Sequence, residues 1–296
     1  VSGSEKSYAA AREVTRYHAK SFYFASHFLP SGKRRHAYAV YACCRYIDDQ
    51  IDDLNDPAAL PETVARLREW LGQVYASGGR GGEDVGAWVP AFCQTARACE
   101  VEKRFFDDLL DGVEMDQGRV RVRDWPELEK YCYHVAGVVG LMMTRVFGLE
   151  DRSHEKEAIE LGNAMQLTNI LRDVAEDWKR DRIYLPADEM ERFGLSEEVI
   201  ARGENSKEWK EMMKFQIERA RDGYNRSERG IGALPADGSQ ATVWAMRDVY
   251  AGILTAVEAS DYDVFRQRCH VTLAGKMRLV LAGWLGRRGN AGGNRT

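Results

Sequence analysis

Apolar residues recur along this chain at intervals of three and four almost from end to end, the spacing that lines one face of a helix. No stretch of sustained alternation bounded by a turn dipeptide argues for a sheet, so an all-α chain is expected. Breaks fall at Leu29-Pro30-Ser31-Gly32, from Asp56-Pro57 to Pro61, along Gly78 to Gly82, and at Asp124-Trp125-Pro126, Tyr184-Leu185-Pro186 and Leu234 to Gly238. They cut the sequence into pieces of helical length. Tyr131 to Phe147 reads as one helix although it contains Gly137 and Gly140, each costing about 1 kcal/mol relative to Ala. Close helix packing and room for a bound chain explain these glycines equally well. Residues 1–285 read as a single domain, and 286–296, which lack apolar periodicity, as a disordered tail.

Two of the helical segments carry oxygen ligands at i, i+4 spacing, which stacks them on one face a turn apart. Stepping back from Asp52 by four, three and four residues reaches Asp48, Arg45 and Tyr41, so carboxylates, a guanidinium and a phenol share a stripe that begins near Ser31 as N-cap. Asp49 and Asp53 form a neighbouring stripe, either metal-binding or solvated. In the second segment Asn169, Asp173 and Asp177 align, extend upstream to Gln166 or Met165, and have Arg172 beside them. Leu167, Ile170, Leu171, Val174 and Trp178 flank this stripe, which suits the wall of a cavity better than a face in bulk water. A solvated acidic face would explain one such helix; two, each with an arginine among its carboxylates, point to a bound cation. Hard oxygen ligands suit Mg²⁺, with Mn²⁺ as a substitute, bridging one or two carboxylates to phosphate oxygens.

Composition narrows the choices. The chain has 296 residues, 44% hydrophobic and 30% charged, enough for a sizeable core. A net charge of −4 argues against a nucleic-acid partner, and Lys33-Arg34-Arg35 is too short to change that. The six cysteines form no C-x-x-C pair and no zinc spacing, so free thiols in a reducing compartment are expected. The first twenty residues lack the apolar segment of a secretory signal, and the most apolar stretch, from Val135 to Thr144, is too short to span a bilayer. A cytoplasmic location is expected. The glycine run near Arg80 fits neither dinucleotide nor P-loop spacing and reads as a connecting loop.

Carboxylates that hold a metal, arginines that take up diphosphate oxygens and a dry pocket together suit the loss of pyrophosphate from an allylic ester, because they neutralise the leaving group and shield a carbocation from water. Ring faces for that cation are available among Phe22, Tyr23, Phe24, Tyr38, Tyr41, Tyr131, Tyr133 and Tyr250, most of which should be core and about three of which should line the site.

The segments Ser21 to Ser26, Tyr41-Ala42-Cys43-Cys44-Arg45-Tyr46-Ile47-Asp48-Asp49, Tyr131 to Gly137 and Gln166 to Asp177 resemble the signatures of the squalene/phytoene synthase family, over about 17–276. Arg182-Ile183-Tyr184-Leu185-Pro186 and Asp261 to Phe265 are similar to segments of its bacterial and plant phytoene synthases. The resemblance implies a single isoprenoid-synthase helical bundle around a central cavity, with the acidic helices facing one another across its mouth. It implies Asp48, Asp52, Asn169, Asp173 and Asp177 as metal ligands. It further implies His18, Lys20, Ser21, Phe22, Tyr41, Arg45, Gln166, Arg172, Arg182, Tyr184 and Tyr250 around two prenyl diphosphates, and Tyr131 or released pyrophosphate as proton acceptor. Head-to-head condensation of two geranylgeranyl diphosphates to phytoene is the expected reaction. Squalene, presqualene diphosphate or dehydrosqualene from farnesyl diphosphate is the alternative, with NADPH needed only for squalene. A terpene cyclase, which consumes one diphosphate, and a non-catalytic prenyl-diphosphate-binding module are the remaining alternatives. Cys43 stands where relatives often carry an aromatic, which would enlarge the pocket. An insoluble product suggests peripheral contact with the inner membrane face; the oligomeric state is not fixed by the sequence.

Overall fold

The computed structural model describes residues 3–292 apart from 53, 55, 78–84 and 117, so Asp53, the glycine run and the last residues of the expected tail lie outside the described part. The helices are α1 (Gly3–His18), α2 (Lys20–Ala25), α3 (Ser31–Asp52), α4 (Leu60–Ser77), α5 (Val89–Ala98), α6 (Lys103–Met115), α7 (Trp125–Cys132) and α8 (Val138–Phe147). They continue as α9 (Glu155–Lys179), α10 (Ala187–Arg192), α11 (Glu197–Arg202), α12 (Lys207–Ala233), α13 (Ser239–Ala259) and α14 (Leu273–Gly292). Ser31 is the first residue of α3 rather than its cap. The helix α14 runs past Gly286, where the sequence leads one to expect order to end.

Two short strands depart from the all-helical expectation. The strands β1 (Val120–Arg121) and β2 (Arg182–Ile183) pair in parallel, with Val120 opposite Arg182. Two-residue strands leave too little alternation to be read from a sequence. Their consequence is positional, since the pairing fixes Arg182 and the following Tyr184 against the end of α6.

Apolar side chains gather into two adjoining cores, one built from α1, α3, α4, α5, α6 and α8, the other from α7, α9, α12 and α13 with the short helices α10 and α11. Helix α9 is central. Leu167, Ile170, Leu171 and Val174 are buried on one side, each side chain contributing about 1.5–3 kcal/mol. The opposite side, through Met165, Gln166, Asn169 and Arg172, lines a cavity.

The run from α7 to α8 is one continuous helical path interrupted by a π turn at Tyr133–Gly137, a kind of bulge that recurs beside functional sites. Helix α9 touches this path backbone to backbone: a Cβ on Gly140 of α8 would strike the Ala158 carbonyl, and one on Gly162 the carbonyl of Ala136 in the π turn. Close packing therefore accounts for Gly140, which also forms part of the cavity wall.

Candidate active site

Each acidic stripe forms as its spacing dictates, and the tertiary fold turns the two toward one another. Arg180, just beyond α9, reaches across to Asp52 on α3 at 3.6 Å. Between the ridges stands Asp116, at the end of α6, which accepts hydrogen bonds from Tyr184 at 2.6 Å and from Tyr131 at 3.1 Å. Those two phenol rings are stacked at 4.8 Å.

Crowding of like charges sets the electrostatics. Burial pushes the Asp48 carboxyl up to about 7; Arg45 opposes this, and Asp52, Asp49 and Asp116 add repulsion. Asp48 nevertheless keeps a solvent-accessible face, as a group in a crowded but open cleft does. Asp177 is pushed up to about 7 by burial and then by Asp173 and Asp116, against the pull of Arg182 and Arg180. Burial also raises Asp116, which Tyr184, Arg182 and Tyr131 counteract and Asp52 reinforces. Asp173 is the exception. Burial acts to raise it, but Arg172 and Arg268 outweigh burial and hold the carboxyl at about 2. Arg172 Nε donates to Asp173 at 2.7 Å, and Arg268 makes a two-pronged contact at 2.8 and 3.0 Å.

Among the described residues no three His, Cys, Asp or Glu side chains stand close enough together to hold a metal ion by themselves. The donor set still fits one. Mg²⁺ takes one or two protein carboxylates and completes its shell with waters and substrate phosphates, so separated ridges that repel themselves are what a diphosphate-bridged cation requires. Orphaned donors point the same way: the Nε–H groups of Arg45 and Arg182 are buried and find no acceptor in the protein. An anion between the ridges would supply it.

Behind the ridges lies a cavity of about 730 Å³. Its mouth carries His18, Lys20, Ser21, Phe22, Tyr41, Arg45, Gln166, Asn169, Arg172, Tyr250 and Arg268. Lys276 donates to Ser21 at 2.8 Å, and burial followed by the charge of Lys20 pulls its pKa down. Deeper walls are apolar, with Val139, Met143, Phe147, Leu161, Met165, Ile231 and Met246 among them.

Among the eight aromatics singled out in the sequence, Phe22, Tyr41 and Tyr250 line the cavity. Tyr38 instead stacks on Tyr23 and hydrogen-bonds Ser26, while Tyr133 donates to Asp108 at 2.7 Å. Tyr131, Tyr184 and Arg182 belong to the Asp116 cluster rather than to the cavity wall. Asp49 is ion-paired to Arg45 one turn away on α3. Cys43 is fully buried in the first core, so its small size opens no space in the cavity. Asp116, Arg268 and Lys276 were not singled out in the sequence, because no spacing joins them to the stripes and Asp116 is one of several acids along α6.

Comparison with known proteins assigns the chain to a family. Residues 15–274 match the squalene/phytoene synthase family. The chain belongs to that family. It is 38% identical over 293 residues to 15-cis-phytoene synthase of Synechocystis sp., covering 95% of this chain and 85% of that protein. To the chloroplastic phytoene synthase of Daucus carota it is 36% identical, covering 92% of this chain and 68% of that protein. Among solved structures, a ligand-bound dehydrosqualene synthase superposes with a TM-score of 0.87 at 28% identity, covering 97% of this chain and 98% of the other. Squalene synthase from Alicyclobacillus acidocaldarius gives 0.77 at 25% identity, covering 87% and 95%. The chain is thus a prenyltransferase with the helical fold of these synthases, and its family uses a divalent metal with prenyl diphosphates.

Proposed function

We propose that this enzyme joins two geranylgeranyl diphosphates head to head to give phytoene, with loss of two diphosphates and two protons, one proton as the cyclopropane closes and one in the final elimination, and that its metal is Mg²⁺. The observation that carries the reading is the placement of two carboxylate ridges and a cluster of cations at the head of a long apolar cavity. Substrate length follows the phytoene synthases, at 36–38% identity. A farnesyl substrate is the second reading, favoured by the structural likeness to dehydrosqualene synthase.

In this reading Asp48, Asp52, Asn169, Asp173 and Asp177 hold the metal, which when bound neutralises charge on the departing diphosphate. Arg45, Arg172 and Arg268 take diphosphate oxygens on one side, and His18, Lys20, Ser21 and Lys276 on the other; Gln166 orients the same groups. Arg182 and Tyr184 act through Asp116, at the inner edge of the metal ridges. The apolar walls exclude water, and the faces of Phe22, Tyr41 and Tyr250 stabilise cationic carbon, first in formation of the cyclopropylcarbinyl diphosphate and then in its rearrangement. Tyr131 is a donor: its phenol is committed to Asp116, and burial raises its pKa far above the ordinary value. Released diphosphate is therefore the proton acceptor.

Incubation with farnesyl and geranylgeranyl diphosphate separately, with and without NADPH, followed by mass analysis of the hydrocarbon, tests the proposal. A C40 hydrocarbon formed without NADPH from the C20 substrate is expected. Product from the C15 substrate alone would overturn the assignment of length.

We also propose peripheral contact with a membrane. Among the described residues no helix is long and apolar enough to cross one, but α14 presents Leu273, Met277, Leu281 and Leu285 to solvent.

A further inference from the structure

The cavity that begins among cations at the ridges passes through apolar walls and then turns polar again at its far end. There Glu157 and His154, both on the N-terminal side of α9, belong to its lining. Glu157 is 6% exposed. Its Oε2 and the His154 Nδ1 are buried without a hydrogen-bond partner, 3.6 Å from one another. Space for this side chain is built into the opposite helix: a Cβ on Gly230 of α12 would lie 2.5 Å from the Glu157 Cβ. The hydroxyls nearby are already engaged, Ser227 with the Tyr224 carbonyl and Thr242 with that of Gly238. A carboxylate oxygen buried in a mostly apolar chamber without a hydrogen bond is costly, and the diphosphate chemistry at the mouth makes no use of it.

We propose that Glu157, with His154, is a specificity-determining polar stop that limits how long a prenyl chain the cavity accepts. This rests on the reading of the site as one for prenyl diphosphates. From Asn169 at the metal ridge to Glu157 is twelve residues of one helix, about 18 Å at 1.5 Å per residue. An extended chain advances about 3.5 Å per three bonds. The sixteen-carbon main chain of a C20 prenyl group therefore spans about 18 Å on the same measure. A C20 tail reaches the pair with its last methyl groups. A C25 tail must push a fifth isoprene unit onto the Glu157 carboxylate and strip it of whatever solvates it, and hydrocarbon offers nothing in return.

Binding and turnover separate this inference from the functional reading. The probes are geranylgeranyl S-thiolodiphosphate and its C25 homologue, titrated calorimetrically with Mg²⁺ into the full chain. The wild-type protein is expected to bind the C20 probe at least about tenfold more tightly than the C25 probe. Glu157→Leu, which keeps the volume and removes the charge, is expected to raise C25 affinity at least about tenfold with C20 affinity little changed. Glu157→Gln, still polar, is expected to behave as wild type. Should Glu157→Leu fail to fold by circular dichroism, His154→Leu, at a more exposed position, supplies the same comparison with a smaller expected shift. Equal wild-type affinity for both probes, or a folded Leu variant whose C25 to C20 ratio does not move, overturns the stop. Neither result bears on whether the natural C20 substrate turns over, which the product assay reads independently.

Discussion

Arg268 shows how much of this site is contributed by residues far apart in sequence. Its guanidinium grips Asp173 from 95 positions away, and with Arg172 it makes that carboxyl the one strongly acidic member of a ridge whose neighbours are pushed upward. The stripes themselves were legible, because i, i+4 spacing is local and a helix converts it directly into geometry. Arg268, Lys276 and Asp116 were not, since long-range contacts alone bring them in. Removing the ridge tests its part in turnover: Asp48→Ala and Asp173→Ala are each expected to lower kcat/KM at saturating Mg²⁺ by at least about 100-fold while circular dichroism stays helical. Near-normal turnover in both variants would refute the assignment of metal ligands. For Arg268→Ala a loss of about 100-fold is also expected, together with weaker inhibition by inorganic diphosphate. If inhibition by diphosphate is unchanged, Arg268 serves only to position Asp173.

Among the elements, α9 answers to two demands at once, and its glycines are where they meet. Its cavity face needs the π turn and α8 close enough to close the wall, and Gly162 meets the carbonyl of Ala136 in that turn with no space for a methyl group. Gly162→Ala is expected to cost about 1–3 kcal/mol, seen as a fall of several degrees in Tm, because the obstacle is backbone rather than a movable side chain. An unchanged Tm would mean that the π turn shifts freely and that the wall is soft. The sequence showed helix over 131–147 but not the π turn inside it, since an extra residue in one turn leaves the apolar pattern nearly intact. It also missed the β1–β2 pair, which presents too few residues for any period to register.

On the scale of the whole molecule, the fold class was legible because periodicity is repeated in every segment, whereas the far end of the molecule was not. Past Asp261 the sequence shows only a motif and a polar tail, yet α14 places Leu279 against Gly252 of α13 and pairs Arg287 with Asp248 at 2.9 Å. The opposite face, with Leu273, Met277, Leu281 and Leu285 each more than half exposed, has Arg278 on the same helix. A helix that turns an apolar stripe and an arginine to solvent binds at the interface of anionic bilayers, held by buried apolar area and by attraction to the headgroups. Such a surface would let an insoluble C40 hydrocarbon leave the enzyme without crossing water. The protein is expected to float with vesicles containing anionic lipid and to do so less in high salt, where the electrostatic part is screened. Met277→Glu with Leu281→Glu is expected to abolish flotation while leaving turnover in detergent intact, because neither residue lines the cavity. Flotation that survives both changes would assign membrane contact to another face, and loss of detergent turnover would mean that the changes also displace Lys276 from the site.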